Sequence, residues 1–205
     1  MADATNRCSG TLTALVEQAQ QGDEEAFRAV YRQVNPDLLR YVTVIVGSQD
    51  AEDVVAETWL QLTRDLLHFD GGGAAFRRFA LTVARNRARD LARRRGRRAT
   101  ELTTQNHLLP EPRTAESGTT TDVAEIVGTR LSTQDALAII GSLPRPQAEA
   151  VILRVILGLG TKDAACVLGK RPGAVAMALS RGLRTLARAY GDGNDEGGAQ
   201  RDQPR

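Results

Sequence analysis

The sequence predicts an all-α protein: two helical domains joined by a flexible linker. Three observations carry that reading. Apolar residues recur at three- and four-residue steps through both halves of the chain. No stretch of consequence alternates with the period of two that a half-buried strand needs. Between the periodic halves, residues 100–130 are rich in threonine, carry Pro110, Pro112 and Gly118, and hold few apolar side chains. As a random coil, about 30 such residues span roughly 30 Å, enough to hold two domains on separate sites. The expected organisation is a loose tail at 1–10, a first domain at 11–99, the linker at 100–130, a second domain at 131–190 and a disordered tail at 191–205.

In the first domain, Leu12, Leu15, Val16 and Ala19 mark an amphipathic helix that stops near Gly22. Asp23 suits the N-cap of a helix over 24–34, with Phe27, Val30, Tyr31 and Val34 on one face. Pro36 is expected to restart the pattern, and Leu38, Leu39, Tyr41, Val42, Ile45 and Val46 form a mostly buried helix ended by Gly47. Asp50 reads as the cap of the next helix, 51–67, with Val54, Val55, Thr58, Leu62 and Leu66 inward. Trp59 lies on or beside its acidic face, where it either completes the core or marks an interface. The stretch His68-Phe69-Asp70-Gly71-Gly72-Gly73-Ala74-Ala75 reads as a loop, since three consecutive glycines argue against a regular element. A long helical pattern over 76–98 follows, with Phe76, Phe79, Ala80, Val83, Ala84 and Leu91 on its apolar face.

In the second domain, Ser132 caps a helix that turns Ala136, Leu137 and Ile140 inward. Leu143-Pro144-Arg145-Pro146 is a turn, with Pro146 at a first helical position. A strongly apolar helix over 147–157 ends at Gly158 and Gly160. Thr161 caps a helix over 162–168, Gly169 closes it, and Pro172 starts a helix running to about Tyr190. Two helices joined by a tight glycine turn, the second longer and basic toward its end, form a helix-turn-helix pattern.

Net charge is only +2, but it is segregated: acids dominate 23–57, and 76–98 carries ten arginines against the single acid Asp90. Solvated charged faces usually mix both signs, so this helix is suited to lie against a polyanion. The two cysteines (Cys8, Cys166) and two histidines (His68, His107) offer neither metal-ligand spacing nor a disulfide framework, which fits a reducing cytoplasm. The N-terminus has no basic-then-apolar signal region. The most apolar stretches, 42–46 and 150–159, are too short to span a bilayer, so no membrane insertion is expected. Carboxylates are scattered, neither histidine has an evident partner, and no glycine loop precedes a helix with Lys. Neither catalysis nor a cofactor or metal is expected.

The order of acidic helix, glycine loop, arginine helix, threonine-rich linker and C-terminal helix-turn-helix resembles the extracytoplasmic-function (ECF, group IV) sigma factors of bacterial RNA polymerase. Asp50-Ala51-Glu52-Asp53-Val54-Val55-Ala56-Glu57-Thr58-Trp59-Leu60 is similar to the family's region 2.2. Residues 76–90, with Ala84-Arg85-Asn86 and Asp90, resemble regions 2.3 and 2.4. Leu143-Pro144 with Gln147, Gly158-Leu159 and the helix-turn-helix resemble region 4. Three departures stand out. Ala56 replaces the usual glutamine before the Glu-Thr pair, Phe79 replaces the family's Trp, and Ala176 and Ala178 stand where Lys and Arg are common.

The resemblance implies a protein that binds core RNA polymerase, recognises promoter DNA and directs transcription initiation. Core docking, on the β′ clamp with further contact to the β flap, falls to Asp50, Glu52, Asp53, Glu57, Trp59 and Gln61. The −10 element falls to Phe76, Arg77, Arg78, Arg85, Asn86, Arg89, Arg93 and Arg94, with arginines on phosphates, Asn86 on a base edge and Phe76 either stacking or, more simply, in the core. The −35 element falls to Lys170, Arg171, Pro172, Gly173, Ala174, Ala176, Met177, Ser180, Arg181 and Arg184. The glycine loop lies where the family captures a flipped base but offers no side chain for a pocket. Many relatives have an anti-sigma factor, which the resemblance adds as a further partner. The alternatives are a helix-turn-helix regulator that binds duplex DNA without engaging polymerase, and an interaction protein whose arginine helix binds an acidic protein.

Overall fold

The computed structural model describes residues 2–105 and 132–191, with side chains over 10–95 and 132–189. The linker beyond Gln105, His107 and the C-terminal tail beyond Gly191 lie outside the described residues, as does the side chain of Cys8. Every regular element among the described residues is helical.

Helix α1 (Ala2–Gln20) buries Leu12, Val16 and Ala19, the stripe that the sequence predicts. It begins at Ala2, within the stretch expected to be a loose tail, because a docked amphipathic turn can propagate through Ala2 and Ala4 at little cost per residue. Helix α2 (Glu24–Val46) is one helix, not two. Pro36 sits inside it without breaking it. An interior proline costs about 3 kcal/mol, but Val34 and Leu38 on either side are buried at 1% and 0% exposure and hold the backbone in line. Asp23 caps it as expected, accepting from the amides of Glu25 at 2.9 Å and Ala26 at 3.1 Å. Toward its end, Tyr41, Val42 and Val44 are buried on more than one side, the mark of a helix packed between layers.

Helix α3 (Ser48–Leu66) begins two residues before Asp50. Asp50 therefore lies in the first turn rather than at the cap, and its carboxylate pairs with Arg95 instead of with backbone amides. Helix α4 (Gly73–Gln105) starts within the predicted glycine loop and runs past residue 99. Gly73 belongs to its first turn because α1 crosses there. A Cβ at Gly73 would stand 2.6 Å from Leu12 Cβ, and the Gly73 amide donates to Thr13 Oγ1 at 2.8 Å. Only glycine allows that approach.

Helix α5 (Thr133–Gly141) opens on a capping box, with Ser132 and Asp135 bonded reciprocally. Helix α6 (Arg145–Val151) follows Pro144 directly, so Pro146 is its second residue. It continues as a π turn over Ile152–Ile156, where an ordinary helix to Leu157 was expected. The Leu157 amide reaches the carbonyl of Ile152, and the wider turn leaves Val155 and Ile156 exposed. Helix α7 (Thr161–Leu168) places Thr161 inside and Gly160 at the cap, and Gly169 ends it in the left-handed region at φ 58°. Helix α8 (Pro172–Gly191) then crosses α6 closely: a Cβ at Gly182 would lie 2.8 Å from Val151 Cγ2.

Helices α1 to α4 form one bundle and α5 to α8 a second. The two bundles pack on each other, because α2 touches α5 and α6 while α4 touches α7.

Candidate nucleic-acid interface

Helix α8 presents its predicted reading face outward. Arg171, Pro172, Gly173, Ala174, Ala176, Met177, Ser180, Arg181 and Arg184 are exposed, as is Lys170 just before the helix. Val175 is the residue that this turn buries, so the helix is anchored by an apolar underside and leaves its first two turns free. Among the described residues, Arg171, Arg181 and Arg184 make no ion pair, and Arg184 makes only a long contact of 3.4 Å to Ser180 Oγ. A face of small residues, a methionine and uncommitted arginines suits phosphate contacts flanking apolar and hydroxyl contacts to base edges.

Helix α4 is different. Arg77 donates to Asp37 through Nε at 2.7 Å and to the Leu157 carbonyl through Nη2 at 2.8 Å. Arg78 pairs with Asp163 at 2.9 Å. Arg85 lies in the seam against Glu149 at 3.3 Å, the two side chains only 8% and 4% exposed. Arg145 shares that carboxylate at 3.6 Å. Three of the arginines read as −10 contacts are thus held by residues of the second bundle. Of the others, Asn86 and Arg94 are exposed, Arg89 is half-buried, and Arg93 is exposed with Asp90 at 3.8 Å. Phe76 is 1% exposed and packs edge-on against Phe69 at 5.4 Å, so it serves the core here rather than a base stack.

Beneath this seam the hydroxyl of Tyr41 is buried without a hydrogen-bond partner. Burial, and then the carboxylate of Glu149, push its pKa well above the usual tyrosine value.

On α3, Glu52, Asp53 and Glu57 are exposed, and Asp50 and Gln61 are half-buried. Arg87 crosses from α4 to Glu57 at 3.1 Å and to Gln61 at 3.0 Å, so the acidic and basic helices are stitched together along one edge. Exposed pairs of this kind contribute about 0–1 kcal/mol each. Trp59 completes the core. Its indole N–H donates to Asn35 Oδ1 at 2.9 Å, and its ring packs against Tyr31 at 4.8 Å. Its edge still lines a groove of about 620 Å³ between α2 and α3, where Tyr31 and Leu60 are exposed and Glu52 forms part of the wall. An apolar shelf with an acidic rim suits a protein partner better than a nucleic acid.

Sequence reasoning did not single out Asp37, Arg87, Arg145, Glu149 and Asp163. One signal was available: Glu149 is the lone acid of its helix and is followed by an apolar run over 150–153, and a buried carboxylate must find a cation. No helix among the described residues is long and apolar enough to cross a membrane.

The chain matches the family Sigma-70 region 2 over residues 30–98 and the family Sigma-70, region 4 over residues 133–186. It is 33% identical over 190 residues to the ECF RNA polymerase sigma factor BldN of Streptomyces coelicolor, covering 92% of this chain and 69% of BldN. It is 32% identical over 182 residues to the ECF RNA polymerase sigma factor SigD of Mycobacterium tuberculosis, covering 85% of this chain and 82% of SigD. Two solved structures share the fold. CnrH, in complex with the cytosolic domain of CnrY, aligns with a TM-score of 0.60 at 23% identity, covering 90% of this chain and 99% of that one. The sigma factor RpoE from Bartonella quintana, in complex with the anti-sigma factor NepR, aligns with a TM-score of 0.60 at 23% identity, covering 79% of this chain and 94% of that one. With both sigma regions matched and relatives above 30% identity spanning most of its length, the chain belongs to the ECF sigma factors of the sigma-70 family.

Proposed function

We propose that this sigma factor docks on core RNA polymerase through the acidic edge of α3, reads the −10 element with α4 and reads the −35 element with α8. The observation that carries the reading is the open face of α8, whose exposed residues include every −35 candidate of that helix. Asp53 and Glu57, with the apolar shelf around Trp59 and Leu60, form the docking surface for the β′ clamp. Exposed Val155 and Ile156 on the π turn offer region 4 its own apolar contact, suited to the β flap. Arg77, Arg78 and Arg85 reach promoter phosphates only once regions 2 and 4 part, so polymerase binding and opening are coupled in this reading.

The chain works by binding and positioning in the cytoplasm, where polymerase and promoter are, and not by catalysis. An anti-sigma factor that clasps both regions is a further partner of this scheme. CnrH and the Bartonella RpoE were each solved with a bound partner chain.

Run-off transcription with purified core polymerase on a promoter library tests the proposal. Specific transcripts should appear with the wild-type chain and vanish with Asp53→Lys/Glu57→Lys. Retained duplex binding without transcripts or core binding would instead favour a helix-turn-helix regulator.

A further inference from the structure

Where α4 meets the start of α6 and the end of α7, the two regions enclose a cleft of about 330 Å³. Its charged lining is Arg85, Arg89 and Arg93 from region 2, with Arg145, Glu149 and Lys170 from region 4. Five cations thus face one carboxylate. Glu149 already serves both Arg85 and Arg145, so it cannot neutralise the rest. Among the described residues, Arg89 and Lys170 make no ion pair, and the contact of Arg93 to Asp90 is long and largely exposed. The unpartnered Tyr41 hydroxyl lies beneath the same charges, since Arg85, Arg89, Arg145 and Glu149 are the groups that act on it electrostatically.

Converging like charges repel, and an anion between them relieves that repulsion. Planar guanidinium groups match phosphate oxygens in bidentate fashion, so four arginines favour phosphate over a single carboxylate. Arg85, Arg89 and Arg93 are spread over eight residues of α4, about 12 Å of helix, so one phosphate group cannot reach them all but a short chain of them can.

We propose that this cleft is a binding site for a short phosphate chain, which bridges regions 2 and 4 and holds them together. The site exists only in the packed arrangement, and it rests on that packing rather than on the promoter-reading assignment. A ligand that binds only this form favours it about a hundredfold at a concentration of 100 Kd. Arg85, Arg89 and Arg93 are also the proposed −10 contacts, so the bound anion would exclude promoter DNA and keep the factor idle.

The phosphate chain in this proposal is a free oligophosphate, a nucleic-acid backbone is the competing occupant, and the test separates them. Full-length protein is titrated calorimetrically with tripolyphosphate at about 0.15 M ionic strength, and separately with a short oligothymidylate. Saturable one-to-one tripolyphosphate binding is expected. Arg145→Glu, and the milder Arg145→Gln, should weaken it about tenfold or more while leaving oligothymidylate binding intact. Arg145 is exposed and is not a proposed promoter contact, and Arg85 stays on Glu149 when Arg145 is neutralised, so Arg145→Gln should melt close to wild type, while Arg145→Glu sets a second carboxylate beside Glu149 and should melt lower. Heat no different from matched sulfate would overturn the site, as would full affinity in both Arg145 variants, or binding of the oligonucleotide alone. Since core polymerase and promoter are absent, none of these outcomes depends on the transcription assay.

Discussion

The two helices proposed to read DNA differ in a way opposite to their charge. Helix α4 has ten arginines over 76–98, yet Arg77, Arg78 and Arg85 are bound to region 4 or to α2. Helix α8 has few cations, and Arg181 and Arg184 stand open to solvent. Charge density in a sequence therefore measures capacity, not availability. An isolated arginine on a free face can meet a phosphate at once, whereas a crowded arginine helix attracts any acid its own chain supplies.

The strongest way to break this contrast is Glu149→Ala. It leaves Arg85 buried without its partner, and removing one member of a buried pair costs about 3–5 kcal/mol. A lowered urea midpoint should accompany a larger radius in small-angle scattering and tighter binding of single-stranded −10 DNA. No change in radius would mean that Arg85 does not hold the regions together. Arg181→Ala probes the open side. Promoter affinity should fall about tenfold, evenly across −35 sequences, with the salt slope reduced by about one. A sequence-dependent loss, measured by filter binding of holoenzyme, would assign Arg181 to base reading instead.

Tyr41→Phe sharpens the view of the seam. The hydroxyl has no partner, so its removal should leave stability unchanged or raise it by up to about 1 kcal/mol. Its folded pKa is raised, so an unfolded tyrosine loses its proton near pH 10 while the buried one keeps it. Wild-type stability should therefore hold below that pH and decline as pH rises past it, and the phenylalanine variant should lose that component of the decline in alkaline urea titrations. The smallest effect belongs to Asp163→Asn. Its pair with Arg78 is 42% and 35% exposed, so the cost should stay within about 1 kcal/mol and vanish in high salt.

Helical periodicity made most of the fold legible. Leu12, Val16 and Ala19 sit on the inner face of α1, as their spacing implies, and Gly169 closes α7 where predicted. The face of α8 read as the −35 contact is exposed in the structure, with Val175 buried beneath it. The failures share a cause. Pro36, Gly73 and Asp50 each carry a strong local preference, and each yields to a partner distant in sequence: the packing around Leu38, the crossing of α1, and Arg95. The partner of Arg85 lies 64 residues away. Periodicity shows which face a residue occupies, not what waits there.

Helix α2 carries none of the DNA contacts proposed above, yet it underlies both regions. Its N-terminal half packs within the first bundle, while α5 and α6 rest against it, and the Val44 carbonyl lies 3.5 Å from where a side chain on Gly141 would begin. A genetic selection that restores a factor crippled at the seam should therefore return substitutions in α2. Such suppressors would alter −10 and −35 use together, from a helix that need not touch a nucleotide.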